Sequence, residues 1–261
     1  MQLDIAMLER DYGLDTGLTT LIHVGASICQ EAAYYANFNF KKVIWIEALK
    51  DIAEKAKSEV AQFENQQVVN ALCLAESGRF VSLNVSSNNS ESSSVLEPLR
   101  HKDMFRDIVF HNSRMELIES TTLDKVMENM EGNSNCILVI DVQGAELEVL
   151  KGAPRTIEKS QFIFCEVSAI SLYKKQVLVE DLINFLTISH FRLLMHDISL
   201  RRAFGDALFK KVESDDCTDI ELASGRKLTQ NYLRLIRIRQ SRIVRGYDLI
   251  VGKLRQIRAR S

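Results

Sequence analysis

Proline and glycine are scarce in this sequence, 2 and 11 among 261 residues, which leaves little room for a hinge-rich linker and none for a collagen-like repeat. No run approaches the roughly 20 consecutive apolar residues that span a bilayer. Neither end carries a charged stretch leading into an apolar one, so the chain reads as cytoplasmic and mature as written. The five cysteines (Cys29, Cys73, Cys136, Cys165, Cys217) are odd in number and far apart, a pattern that favours buried reduced thiols over disulfides or a zinc site. A Gly-x-Gly-x-x-Gly fingerprint is also missing, since the first candidate turn reads Gly25-Ala26-Ser27-Ile28-Cys29-Gln30. That argues against a pyrophosphate cradle and a nicotinamide-dependent oxidoreductase; a Walker loop is likewise absent.

What is present is an apolar share of 46%, with 33 Lys and Arg against 35 Asp and Glu. This composition supports one main core of ordinary size. The formal charge of -2 hides an asymmetry: residues 226–261 hold 11 Lys and Arg and one acid, Asp248, for a local +10, which leaves -12 on residues 1–225. Screening over about a Debye length makes these two separate electrostatic objects. The organisational boundary is expected near 213–226, giving a main domain over 1–215 and a basic amphipathic helical tail over 216–261.

Apolar patterning along the main domain alternates between strand and helix. Leu21–Gly25 is a short apolar run ending at a turn, and 29–38 then has helical spacing. Val43–Glu47 is a second strand-like run, Lys50–Phe63 a helix and Val68–Leu74 a third strand. This βαβαβ spacing predicts a parallel sheet buried on both faces. The segment Ser86–Ser94 (SSNNSESSS) reads as a loop, followed by a helix over Thr122–Met130 and a central strand over Cys136–Val142 (CILVIDV). A helix from Glu146 is expected to restart at Pro154, because proline suits a first turn. A strand over Phe162–Val167, a helix over Val179–Ile188 and a closing pair, Phe191–Met195 with Ala207–Val212, bring the count near seven strands.

In open α/β sheets, ligands collect beyond the carboxyl ends of the strands. Here those ends are polar: His23, Gly25 and Ser27 after the first strand, Glu47 after the second, Asp141 and Gln143 after the central one, Glu166 and Ser168 after the next. A glycine after a strand lets a ligand approach the backbone, and an acid ending the next strand can accept both hydroxyls of a ribose. The pair points to a nucleoside-containing cofactor. Asp141 closes a fully apolar strand, where a carboxylate is costly unless exposed or paired. Glu146 falls in the first turn of a helix, where the dipole favours negative charge.

The segments HVGASICQE (His23–Glu31), VIWIEA (Val43–Ala48), ESSSVLEP (91–98), TTLDKV (Thr121–Val126), IDVQGAELEVLKGA (Ile140–Ala153), EVS (Glu166–Ser168) and GDALFKK (Gly205–Lys211) occur in order. In type and spacing this series resembles the FkbM-type methyltransferases over about residues 20–212, with DVQGAE its most specific element. The resemblance implies a Rossmann-like seven-stranded α/β fold with helices on both faces. It implies S-adenosylmethionine as cofactor and methyl transfer to an oxygen of a sugar, polyketide or similar metabolite. On that reading Gly25 and Ala26 approach the methionine part of the cofactor, with His23, Ser27 and Ala48 beside them. Glu47 takes the ribose, Ala71 and Leu72 border the adenine, and Asp141 and Glu166 face the transferred methyl and the acceptor. Ser92, Ser93, Gln143 and Glu146 are the candidates for substrate contact.

For a hydroxyl acceptor, Asp141 or Glu166 is the candidate base, ahead of His101 and His111. The same two carboxylates are able to hold a divalent cation, but the metal-free reading is favoured. Two positions depart from the family pattern: His23 stands where an acid is usual, and Cys29 where a second turn glycine is usual. A side chain at Cys29 defines the rival reading, a non-catalytic binding or assembly module with a weakened cofactor site. In the tail, apolar residues from Leu228 to Ile257 keep helical spacing with arginines between them. Charge opposition favours packing on the acidic body or on a second copy, a homo-oligomer, ahead of contact with an anionic membrane surface. Nucleic acid has only the charge in its favour.

Overall fold

The computed structural model describes residues 2–86, 92–99, 110–128, 130, 135–199, 203–213 and 234. The expected basic helix over 216–261 lies outside these residues apart from Arg234, as do His101 and Cys217. Among the described residues, no helix is long and apolar enough to cross a membrane.

Seven strands form one sheet in the order β3-β2-β1-β7-β8-β10-β9. They are β1 (Thr20–Val24), β2 (Lys42–Glu47), β3 (Gln66–Asn70), β7 (Cys136–Ile140), β8 (Ser160–Ser168), β9 (Phe191–His196) and β10 (Phe204–Lys211). β10 runs antiparallel to both of its neighbours, and every other pairing in this sheet is parallel. The fold is therefore α/β and Rossmann-like. Every residue of β1 and of β7 is buried, as continuous apolar strands covered on both faces must be. One face carries Ile22, Ile44, Leu138 and Ile163, packed against α4 (Leu123–Glu128), α5 (Glu146–Lys151), α6 (Pro154–Lys159) and α7 (Val179–Ile188). The other carries Leu21, Val43, Trp45, Ile137 and Phe162, packed against α1 (Ile5–Tyr12), α2 (Ala32–Tyr35) and α3 (Lys50–Val60).

Several expectations change. The helix expected over 29–38 contracts to α2, because Cys29 adopts a left-handed φ of 59° that a helix cannot contain. The strand expected over Val68–Leu74 divides at Ala71: β3 pairs with β2, while β4 (Leu72–Cys73) pairs with β6 (Phe110–Thr121) in a separate three-stranded sheet completed by β5 (Phe80–Ser86). That second sheet has a weak sequence signal, since its outward face exposes Phe80, Met115 and Leu117, so apolar residues mark the solvent side as well as the buried one. Its inward residues Leu83 and Val85 pack on Leu49 and Ile52. Ser86, expected as loop, ends β5, and Ser94 bridges back to Asn84.

Candidate functional site

The strand order reverses between β1 and β7, so their carboxyl ends flank a crevice at the switch point of the sheet. Gly25 follows β1 with φ 85°, and a Cβ there would lie 1.7 Å from the Asp141 carbonyl oxygen. Only glycine lets the two strand ends approach this closely. Gly25 N donates to Ile46 O at 2.9 Å and Ala26 N to the same oxygen at 3.1 Å, which ties the turn to β2 as well.

A cleft of about 610 Å³, counting the space open at its mouth, opens here. Among its walls are Gly25, Ser27, Glu47, Ala48, Ala71, Leu72, Ser93, Asp141 and Gln143. Nine positions singled out from sequence thus meet in one place, drawn from four strand ends and the segment before Ser94.

Glu47 ends β2 almost fully buried. Its Oε2 accepts from Ser27 N at 2.9 Å and its Oε1 from Leu49 N at 2.8 Å. Burial pushes the carboxyl up to about 7, against the pull of these backbone donors. Ala48 is a third backbone donor to the carboxylate, and the remaining lone pair can accept from a ligand hydroxyl. Next to it Ser27 holds a left-handed φ of 45°. Its buried Oγ has no hydrogen-bond partner among the described residues. An orphaned hydroxyl on a strained residue beside an acid fits a polar ligand in this cleft.

Asp141 is exposed just past the end of β7, which meets the condition that a carboxylate on an apolar strand must be solvated or paired. Gln143 turns back in a left-handed conformation, φ 54°. Its Nε2 donates to Asp141 Oδ1 at 2.8 Å and to Glu166 Oε2 at 3.1 Å. One amide therefore bridges the two carboxylates. Burial raises Glu166 well above the usual carboxylate range, and the charges of Asp141, Glu146 and Asp206 add to the shift.

Five expected positions lie outside the lining of the cleft. His23 projects to the opposite face of the sheet, where it stacks on Trp45 at 4.9 Å and its Nδ1 sits 3.4 Å from the Tyr35 hydroxyl; burial lowers it to about 3 and keeps it neutral. Ala26 is buried in the same apolar cluster as Tyr35. Glu146 is buried and turned onto its own loop, accepting from Gly144 N at 2.9 Å and Val142 N at 3.4 Å, so it braces the turn. Ser92 is buried, its N donating to Ser86 Oγ and its carbonyl accepting from Tyr173 Oη. Glu166 borders a second chamber of about 960 Å³, open space included, with Asp141, Glu31, Asp206, Tyr34 and His23. Asp141 is common to both cavities.

Cys29 does not crowd the cleft. Its side chain is buried with Ala26, Ala32 and Tyr35, and burial pushes the thiol up to about 12. The left-handed backbone there turns the thiol into the core, which removes the steric basis for a weakened site. Among the described residues, no group of three His, Cys, Asp or Glu side chains is placed to hold a metal ion. Tyr173, which touches Gln143 and Ser92, was not singled out from sequence; a tyrosine in the connection after β8 gives no periodic or motif signal.

The sequence profile of the methyltransferase FkbM domain matches residues 23–193. No curated protein matches the chain. Among solved structures, TrmK of M. capricolum, in complex with S-adenosyl-homocysteine, is similar at 11% identity, covering 85% of this chain and 74% of that one with a TM-score of 0.47. A SAM dependent methyltransferase from Aquifex aeolicus is similar at 13% identity, covering 79% and 89%, with a TM-score of 0.42.

Proposed function

This chain belongs to the FkbM methyltransferase family and is an S-adenosylmethionine-dependent methyltransferase, and from that premise we propose that it methylates a hydroxyl of a sugar, glycan or glycan precursor. The observation that carries the proposal is Asp141, a carboxylate shared by the cleft at the switch point and the second chamber. Bound S-adenosylmethionine supplies an electrophilic methyl group on a sulfonium.

The residues present fit that cofactor. Glu47 takes the ribose, the Ser27 hydroxyl is free for a polar contact, and Gly25 leaves its backbone open to approach. Ala71 and Leu72 form an apolar border suited to a base. On the acceptor side, Asp141 and Glu166 orient a hydroxyl, and one of them takes its proton as the new bond forms. Burial raises Glu166 well above the usual carboxylate range, which makes it a stronger proton acceptor than an ordinary carboxylate once it is ionised. Most of the acceleration comes from alignment of acceptor and donor, because an in-line displacement depends on geometry more than on acid or base strength.

The protein is proposed to act in the cytoplasm, with residues 216–261 as a separate basic tail. That tail packs on the acidic body of this or a second copy, or meets an anionic membrane surface where a lipid-linked glycan would be found.

Turnover with methyl-labelled S-adenosylmethionine and a panel of hydroxylated glycans tests the assignment. Asp141→Asn is expected to keep S-adenosylhomocysteine affinity and to lose about two to four orders of magnitude in turnover, the usual weight of a positioned base. Full activity in that variant rejects the role given to Asp141.

A further inference from the structure

Tyr173 is 1% exposed, yet its hydroxyl lies 3.1 Å from Gln143 Oε1 and 3.2 Å from the Ser92 carbonyl oxygen. Its single proton serves these two acceptors. The other end of the Gln143 amide is the NH2 group that bridges Asp141 and Glu166. We propose that Tyr173 is a positioning residue of the methyl-transfer site, its hydroxyl holding the Gln143 amide so that the NH2 stays shared between the two carboxylates. The proposal rests on the reading that those carboxylates face the acceptor.

The surroundings over-determine the tyrosine. Leu99 N donates to Leu172 O at 2.9 Å and Lys174 N to Glu97 O at 2.8 Å, so the chain on both sides of Tyr173 is stitched to segment 92–99. Gln176 Oε1 accepts from Leu172 N at 2.6 Å and from Tyr173 N at 3.2 Å. Gly144 completes the seat, since a Cβ there would come within 3.2 Å of the Tyr173 ring. The ring therefore has one place to sit, and its hydroxyl meets the Gln143 amide by construction.

The amide needs this second anchor. Asp141 Oδ1 and Glu166 Oε2 both accept from the NH2, so the amide oxygen faces away from them. With the tyrosine hydroxyl present, that oxygen is satisfied and the side chain is held at both ends. Without it, a flexible glutamine is held only at its NH2 end, and the two carboxyl groups lose a firmly placed shared donor. Ser94 Oγ also bonds this turn, at 2.7 Å, but to the Gln143 backbone carbonyl, so it holds the turn and not the amide.

Side-chain amide exchange in ¹⁵N-labelled full-length protein saturated with S-adenosylhomocysteine reads this directly. The Gln143 NH2 pair is identified by its disappearance in Gln143→Leu. It is expected to exchange with water more slowly than the pair of exposed Gln62. Tyr173→Phe, which keeps the ring, should accelerate that exchange about five- to tenfold, the weight of one hydrogen bond, with S-adenosylhomocysteine affinity unchanged; Ser94→Ala should leave it unaltered. Unchanged exchange in Tyr173→Phe overturns the proposal, and so does a parallel loss of S-adenosylhomocysteine affinity, which would mark general loosening of the cleft. Exchange in the unsubstituted protein as fast as at Gln62 overturns it without any variant. No acceptor enters the measurement, so it fails or succeeds independently of the turnover test of Asp141.

Discussion

At the scale of single residues, Glu47 is the group whose environment makes the strongest commitment. A carboxyl raised to about 7 is partly protonated near neutrality in the ligand-free fold. Ribose hydroxyls donate to the ionised form, so S-adenosylhomocysteine affinity should climb as pH rises through that value. The contribution of Glu47 to stability runs the other way: it is present below the ordinary carboxylate value and lost as pH rises through about 7. Calorimetric titration across this range should show the climb in the unsubstituted protein and a flat profile in Glu47→Gln. Glu47→Ala should weaken binding by about 1 to 3 kcal/mol through loss of charge-assisted hydrogen bonds; equal affinity would remove Glu47 from the site. Glu47 was singled out in sequence because it ends the second strand, where an acid can accept both hydroxyls of a ribose. Tyr173 was not, because its partners lie 30 and 81 residues away along the chain and only folding brings them together. For Glu146, likewise, the place in a helix's first turn is visible in sequence, but the fold back onto Gly144 N is not.

At the scale of elements, the strands and helices that bear the site were readable from period and punctuation. Where apolar residues lie continuous between two helical layers, as in β1, β2 and β7, sequence and structure agree to within a few residues. Where one strand hands over to another sheet, as at Ala71, composition does not change and the break is invisible. The join between α4 and α6 shows how the elements are held. Asp124 is buried in α4, and its Oδ1 accepts from Thr156 N and Thr156 Oγ1, both at 2.8 Å, while Oδ2 accepts from Arg155 N at 2.9 Å. A side chain of one helix thus caps the first turn of another that begins with Pro154. Asp124→Ala should cost about 1 to 3 kcal/mol in urea unfolding by orphaning those donors. The tight join of β1 to β7 makes a sharper demand: Gly25→Ala should destabilise by about 2 to 4 kcal/mol, read as a lower urea midpoint, because the added methyl meets backbone and not a movable side chain.

At the scale of the whole molecule, charge divides the chain into an acidic body and a basic end. Removing residues 226–261 takes away a net +10. The truncated protein is expected to change in sedimentation profile or in recovery on anionic vesicles while keeping S-adenosylhomocysteine affinity. An unchanged profile on both counts would leave the tail without either proposed use.

The placing of β10 has a consequence in time. This strand, one of the last described along the chain, sits between β8 and β9, both made before it. As the polypeptide leaves the ribosome, β8 presents an open edge and β9 has no neighbour in the sheet until residues 204–211 arrive. The sheet is finished from its interior, and not by adding at the rim. A nascent chain therefore passes through an interval in which the FIFC run of β8 is available to any other unpaired strand. The cofactor crevice at β1 and β7 lies clear of that late insertion, so the binding half can assemble while the closing half is still being synthesised.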